Sequence, residues 1–405
     1  MRSVSTAKDL CLGCFRRHLV AAPRYTSSGL QRTARQRYMA VFARANAEPS
    51  GKLHCGAGAA LGAAALLLSQ PGPHRAEEPE LERPAPVDEM GYVRTVVRGV
   101  PQPPFIRDAC LEELQRDFAL RGDDIVVATY PKCGTTWMQQ ILLTLLFGGE
   151  ASKAPRAMQQ APWIESSCCR KRLGLPASLS AVPMSVEELL AWDGRLGALD
   201  APPRRVFKTH AQAGLVPWRG GVGGCGGAKV VVVTRNPKDA CVSNFHHARD
   251  VVAFAYCGDL WHFVTALFLR GRVESGCFWE WHAGWEAAAA QHPGDVMWVS
   301  YEELKRDYEG TVRRLAGFLQ IPAPDDVIAR TMAASSFASM KVSIAQFDGQ
   351  LTASGVAPKR GHLRKGEMGS WRGDIEGALL AEFDAVSEAK TALHGLKYKF
   401  DYGDP

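Results

Sequence analysis

The sequence predicts an α/β fold: a central parallel sheet with helices on both faces, entered through a P-loop-like, phosphate-cradling strand–turn–helix. Three observations predict it. The apolar run Ile125-Val126-Val127-Ala128-Thr129 reads as a buried strand. It leads through Tyr130-Pro131-Lys132-Cys133-Gly134-Thr135-Thr136-Trp137 into Met138 to Phe147, whose apolar residues recur at helical spacing. Lys229-Val230-Val231-Val232-Val233-Thr234 is β-branched and uninterrupted, as in a strand covered on both faces. Finally, Lys132, His210, Arg235 and Tyr301 each lie just past a predicted strand end, where ligands of such sheets collect.

The elements follow in order. Up to about Ala47 the chain is rich in Arg and Ser/Thr and nearly free of acid, the composition of an organelle transit peptide for a mitochondrion or plastid. A cytoplasmic protein with a disordered tail is the alternative. The apolar run from Cys55 to Leu68 is shorter than the ~20 residues of a membrane helix, so it reads as a second signal or an Ala/Gly linker. Pro71 to Pro86, with four Glu, reads as a solvated spacer. The expected organisation is an extension over 1–86 and a folded domain over 87–405.

Within the domain, the loop at 130–137 differs from a Walker A loop, because Lys132 precedes the only Gly. A helix is expected over Leu189 to Arg195 and a strand over Arg205 to Lys208, ending at Thr209-His210. Gly220 to Gly227 precedes a strand and reads as a linker. Arg235-Asn236-Pro237-Lys238-Asp239 leaves the Lys229–Thr234 strand and enters a helix near Ala240. Phe278 to Ala290 is helical, with Trp281 and Trp285 one turn apart. Val296 to Ser300 is a strand, followed by a helix start at Tyr301-Glu302-Glu303.

Composition removes several function classes. At 405 residues and 46% hydrophobic the chain is ordinary globular material. Residues 1–47 carry a net +8, more than the whole chain's +6, so the remainder is slightly acidic and implies no nucleic acid partner. Eleven Cys without regular spacing point to reduced thiols rather than a disulfide framework. Cys11 and Cys14 lack a second ligand pair, and Cys168-Cys169 are neighbours, so no metal is expected.

Six motifs stand in one order: residues 130–137; Lys208-Thr209-His210; Arg235 to Asp239 with Ser243; Tyr301-Glu302-Glu303; Ser335-Ser336-Phe337 with Met340-Lys341; and Arg364-Lys365-Gly366 with Gly369 and Trp371. From roughly Val93 to Tyr402 the chain thereby resembles the cytosolic-type sulfotransferases, which use 3′-phosphoadenosine 5′-phosphosulfate (PAPS). The resemblance implies a phosphosulfate-binding cradle and transfer of a sulfuryl group to a hydroxyl or amine of a small-molecule acceptor, in line and without a metal. It implies that Lys132, Gly134, Thr135 and Thr136 hold the 5′ end, with Cys133 in the same cofactor-binding cradle. Arg235, Ser243 and Arg364, Lys365, Gly366 would hold the 3′-phosphate, the guanidinium forks matching phosphate oxygens. Trp137, Tyr301 and Phe337 would frame the adenine, with Ser335, Ser336 and Met340 nearby. By the same resemblance His210 is the base, Lys132 stabilises the leaving oxygen, Lys208 assists at the sulfuryl oxygens, and Ser243 influences Lys132. Trp163, Lys208, His210 and His246 would meet the acceptor.

The chain also departs from the pattern. Cys133 stands where the family often has Ser, and a lowered thiol pKa there would make the enzyme sensitive to oxidation. Pro162-Trp163-Ile164-Glu165 resembles a pocket-lining segment of the family, but Ser166 replaces an aromatic residue common there. Glu376-Gly377 and Ala381 occupy the Thr-Val and Glu positions of the usual dimer motif, which leaves the oligomeric state open. Trp261, Trp279, Trp281 and Trp285 read as packing, and His246-His247 lack ligand spacing. Two rivals stay in view: a nucleotide kinase-like enzyme, which needs a Gly-Lys-Ser/Thr step absent here, and a non-catalytic nucleotide-binding protein.

Overall fold

The computed structural model describes residues 90–400 apart from 105, 155–156, 167–185, 196–199, 252–253 and 354–362, and apart from the side chains of 346–353. The leader, the run over 55–68, Cys11, Cys14 and Cys168-Cys169 lie outside the described residues.

A small antiparallel hairpin, β1 (Thr95–Val97) and β2 (Val100–Gln102), comes first. Its two-residue turn, Arg98 at φ 50 and Gly99 at φ 81, takes the left-handed conformation that matches strand twist. Helix α1 (Asp108–Asp117) then leads to the main sheet. That sheet comprises β3 (Ile125–Thr129), β4 (Val206–Thr209), β5 (Lys229–Thr234) and β6 (Val296–Ser300), in spatial order β4-β3-β5-β6. All three pairings are parallel; Val127 lies opposite both Lys208 and Val231, and Val232 opposite Trp298.

Strand side chains alternate between two cores. Val126 and Ala128 of β3, with Val230 and Val232 of β5, face one; Ile125, Val127, Val231 and Val233 face the other. The first core is closed by α3 (Pro237–Asp250), α4 (Phe278–Gln291) and, beyond it, the long C-terminal helix Gly377–Leu393. The second is closed by α2 (Thr135–Leu146) with the helices Tyr308–Leu319 and Asp325–Ala334. The four Val of β5 are fully buried, each contributing about 1.5–3 kcal/mol of apolar transfer. An unbroken Val run is what a sheet covered on both faces requires. The parallel α/β architecture is therefore the one expected.

Boundaries shifted where caps act. Helix α3 starts at Pro237, not near Ala240, because Asn236 accepts hydrogen bonds from Lys238 N and Asp239 N and Pro suits the first helical position. After β6, Ser300 and Glu303 form a capping box that starts α5 (Tyr301–Arg306). The expected helix over Leu189 to Arg195 instead runs over Val186–Ala191. The glycine loop contains one short turn, Val222–Gly224, and passes close to Gly122, where a Cβ would meet the Gly226 carbonyl at 2.9 Å. It serves as a linker into β5. Among the described residues no helix is long and apolar enough to cross a membrane, and no group of metal-ligating side chains occurs.

Candidate active site

The site forms at the carboxyl ends of β3, β4, β5 and β6. After β3 the backbone turns sharply: Lys132 takes φ 73 and Gly134 φ 108. A Cβ on Gly134 would stand 3.0 Å from Tyr301 Cδ2, so only glycine fits. Gly134 is also the N-cap of α2 and brings no side chain, which leaves the first-turn N–H groups of a twelve-residue helix available to an anion.

Thr129, at the end of β3, joins this cradle to β4. Its hydroxyl lies 2.6 Å from Thr135 Oγ1 and 3.1 Å from His210 Nδ1, and its carbonyl accepts from His210 Nδ1 at 2.8 Å. A carbonyl only accepts, so Nδ1 carries the proton and Nε2 keeps its lone pair. Burial first, and then the neighbouring Lys208, hold the imidazole down at about 3, so it is neutral at physiological pH. Its backbone is fixed as well. Glu165 Oε1 accepts from His210 N and from Thr209 Oγ1, both at 2.8 Å, and Trp281 Nε1 donates to the His210 carbonyl at 3.1 Å. Trp285 does the same for Ala211. Trp163 meets the His210 ring edge-on at 5.1 Å, and Lys208 Nζ lies 5.3 Å from the Trp163 ring centre. Burial lowers Lys208 to about 8, opposed by the carboxylates Glu165 and Glu274 and reinforced by Lys132. Glu274, 5% exposed in the turn before α4, is itself pushed up to about 7 by burial, against the pull of Lys132 and Lys208.

Arg235, at the end of β5, gathers the second anion region. Its Nη atoms donate to the carbonyls of Lys132 at 3.2 Å and Glu367 at 2.9 Å, and the guanidinium carbon lies 4.3 Å from the Tyr301 ring centre. Its Nε is buried and has no protein acceptor among the described residues, an orphan donor of the kind an anionic ligand would satisfy. Asp239 fastens the segment carrying Arg364, Lys365 and Gly366 to α3. Its carboxylate accepts from Gly369 N at 2.7 Å, Ser370 Oγ at 3.0 Å and Trp371 N at 3.1 Å. Gly366, at φ 70, packs against Phe337 so tightly that a Cβ would clash with that ring at 2.4 Å.

A flat-ring wall stands beside these anion regions. Trp137 lies 5.2 Å from Tyr301 and 5.5 Å from Tyr308, and its indole N–H donates to the Ser335 carbonyl at 2.9 Å. Ser335 is fully buried, and its hydroxyl is engaged by Tyr308 and the Thr331 carbonyl, so it braces the wall from behind. Ser336 bonds Ser339, Met340 is buried, and Phe337 is 36% exposed. Ser243 and His246 lie half-buried on α3. Thr136 follows Thr135 in the first turn of α2, half-buried.

Cys133 is a correction. The turn sends its side chain into the core shared with Tyr130 and Ala240, fully buried, and burial pushes the thiol well up; Arg235 lowers it only secondarily. The condition on which oxidation sensitivity was expected there, a lowered thiol pKa, is not met. Sequence reasoning also passed over Thr129, Asp239, Tyr308 and Glu274, and gave Glu165 no role. Asp239 and Thr129 sat inside quoted stretches, whereas Glu274 lies in a turn with no spacing signal.

Comparison with known proteins places the chain in a family and matches its fold. The family model described as "Sulfotransferase domain" matches residues 122–395. Mouse sulfotransferase 2B1 is 29% identical over 281 residues, 69% of this chain and 73% of that protein. Among solved structures, mouse sulfotransferase SULT7A1 complexed with PAP superposes with a TM-score of 0.56 at 24% identity, covering 74% of this chain and 94% of that one. Retinol dehydratase in complex with androsterone and inactive cofactor PAP gives 0.59 at 21%, covering 76% and 91%.

Proposed function

The chain belongs to the sulfotransferase family, and from that premise we propose that it takes its sulfuryl group from PAPS and passes it to a hydroxyl or amine of a small acceptor, with His210 as base. The observation that carries this reading is the Thr129 carbonyl on His210 Nδ1, which leaves a neutral imidazole with Nε2 open to an acceptor proton. A base held at about 3 is weak, but the cause is burial plus neighbouring lysines. An anionic donor offsets both lysines and raises the proton affinity of the ring when the donor is bound.

The donor's two anionic ends suit the two regions. The N-terminus of α2 with Lys132, Thr135 and Thr136 would hold the 5′ end, and Arg235, whose buried Nε lacks a protein acceptor, would take the 3′-phosphate together with Arg364 to Gly366. Trp137, Tyr301 and Phe337 offer rings to the base. Lys132 would carry charge that grows on the leaving oxygen, and Lys208 would face the transferring group. The PAP named in the two structural relatives is consistent with such a donor. A kinase-like reading lacks its Gly-Lys-Ser/Thr step.

The test is transfer of labelled sulfate from PAPS to a panel of phenols, alcohols, sterols and amines. Replacement H210A should reduce turnover by about 10²–10⁴-fold. Binding of 3′-phosphoadenosine 5′-phosphate should stay near wild type. Full turnover in that variant would remove His210 as the base; no transfer to any acceptor by the wild type, with nucleotide binding intact, would favour a non-catalytic nucleotide-binding role.

A further inference from the structure

A second reactive cluster lies outside this site, where α4 meets the C-terminal helix, here named α6 (Gly377–Leu393). Cys277 is the residue immediately before α4, extended at φ −71 and ψ 126, and its side chain caps no helix N–H. Lys390 Nζ lies 3.6 Å from its sulfur and His394 Nε2 lies 3.8 Å away. The thiol thus has an ammonium beside it, an imidazole within proton-transfer reach, and the positive end of a fourteen-residue helix beneath it. The cluster sets a nucleophile, a proton acceptor and a cation within contact of one another. Lys390 and His394 are only half-buried, so Cys277, 8% exposed, has two partly exposed side chains against its sulfur.

The thiols of Cys133, Cys225 and Cys241 are held differently. Cys133 and Cys241 are sealed in the core, and burial pushes both thiols up; Cys225 is pushed up to about 11. Cys257 is exposed but donates to the Met90 carbonyl at 3.0 Å.

Cys277 is also mechanically linked to the transfer site, although no catalytic step uses it. It follows the turn Gly271–Gly276 without a break. The Tyr130 hydroxyl donates to the Gly276 carbonyl at 2.8 Å, which ties this turn to the start of the phosphate cradle, and Glu274 sits within it. The turn has little slack: Ser275 takes φ 67, and a Cβ on Gly271 would lie 3.0 Å from Cys277 Cβ.

We propose that Cys277 is a thiol-modification site for small disulfides of the glutathione disulfide class, and that its modification acts on turnover through the Gly271–Gly276 turn. The chemistry balances. His394 accepts the Cys277 proton, and the thiolate attacks one sulfur of the reagent. A new S–S bond forms to Cys277 as the reagent's own S–S bond breaks. The departing thiolate recovers the proton from His394. Cys277 is oxidised to a mixed disulfide and half of the reagent leaves reduced as a thiol.

The experiment treats the full chain with glutathione disulfide and follows intact mass, peptide mapping and sulfate transfer, before and after dithiothreitol. We expect one adduct at Cys277, none there in C277S, and a rate of formation about tenfold slower in K390M and in H394Q. Turnover should fall as the adduct forms and return on reduction, while untreated C277S keeps wild-type turnover. Labelling confined to Cys257, or equal rates in K390M, H394Q and wild type, would overturn the site. An adduct at Cys277 that leaves turnover unchanged would overturn its link to Tyr130. The mass readout does not depend on sulfate transfer, so a failure of the proposed function and a failure of this site are told apart.

Discussion

Lys208 determines how the site responds to alkali. Its ammonium is held at about 8, chiefly by burial, so it is charged below that pH and loses its charge as pH rises through it. If Lys208 faces the transferring group, kcat/KM should decline above pH 8 or so, and Lys208→Arg should flatten that limb because a guanidinium stays charged. Glu274 is one of the two carboxylates that raise Lys208, so Glu274→Gln should move the limb to lower pH; an unmoved limb in a pH–rate series would remove Glu274 from this role. His210 protonates only at about 3, and adds no acid limb to the free protein near neutrality. Lys208 and His210 were legible from sequence because a motif sets them at a strand end. Glu274 was not, since a carboxylate between two helices carries no local pattern and meets the lysines only through tertiary folding. Cys133 marks the complementary limit: sequence gives adjacency in the chain, and side-chain direction comes from the left-handed turn at Lys132 and Gly134.

Among the elements, the attachment of residues 363–371 to the first turn of α3 matters most. Asp239 receives two N–H groups and one hydroxyl from that segment, and so sets where Arg364, Lys365 and Gly366 stand. Asp239→Asn keeps the size and loses the charge. It should weaken binding of 3′-phosphoadenosine 5′-phosphate by ~1.5–3 kcal/mol, read by calorimetric titration, with the fold intact. An unchanged affinity would detach that segment from donor binding. The three longest sheet strands were legible residue for residue as buried apolar runs, Ile125–Thr129, Lys229–Thr234 and Val296–Ser300. Helix starts were less so. Helix α2 begins at Thr135 rather than Met138, because caps and first turns start a helix before its apolar face becomes visible in the sequence. The three-residue strands of the β1–β2 hairpin are too short to show any period.

For the whole molecule, the buried pair Asp124–Arg205 joins the starts of β3 and β4 at 2.5 Å, with Arg205 stacked over Phe207. Replacing Asp124 with Ala leaves a buried guanidinium without its partner and should cost about 3–5 kcal/mol in a denaturant titration. A loss under 1 kcal/mol or so would place that charge in contact with water instead. The two-faced sheet was legible from the Val run, whereas the spatial order of its strands was not, because pairing joins segments far apart in the chain. Arg235 shows what such joining entails. One guanidinium grips the carbonyls of Lys132 and Glu367 together, so the region proposed for the 3′-phosphate and the region proposed to release the sulfuryl group share a single part. On the proposed donor assignment, this sharing would let the protein authenticate its donor. Adenosine 5′-phosphosulfate, lacking the 3′-phosphate, would leave Arg235 without the anion proposed for it, and should be penalised in kcat as well as in affinity.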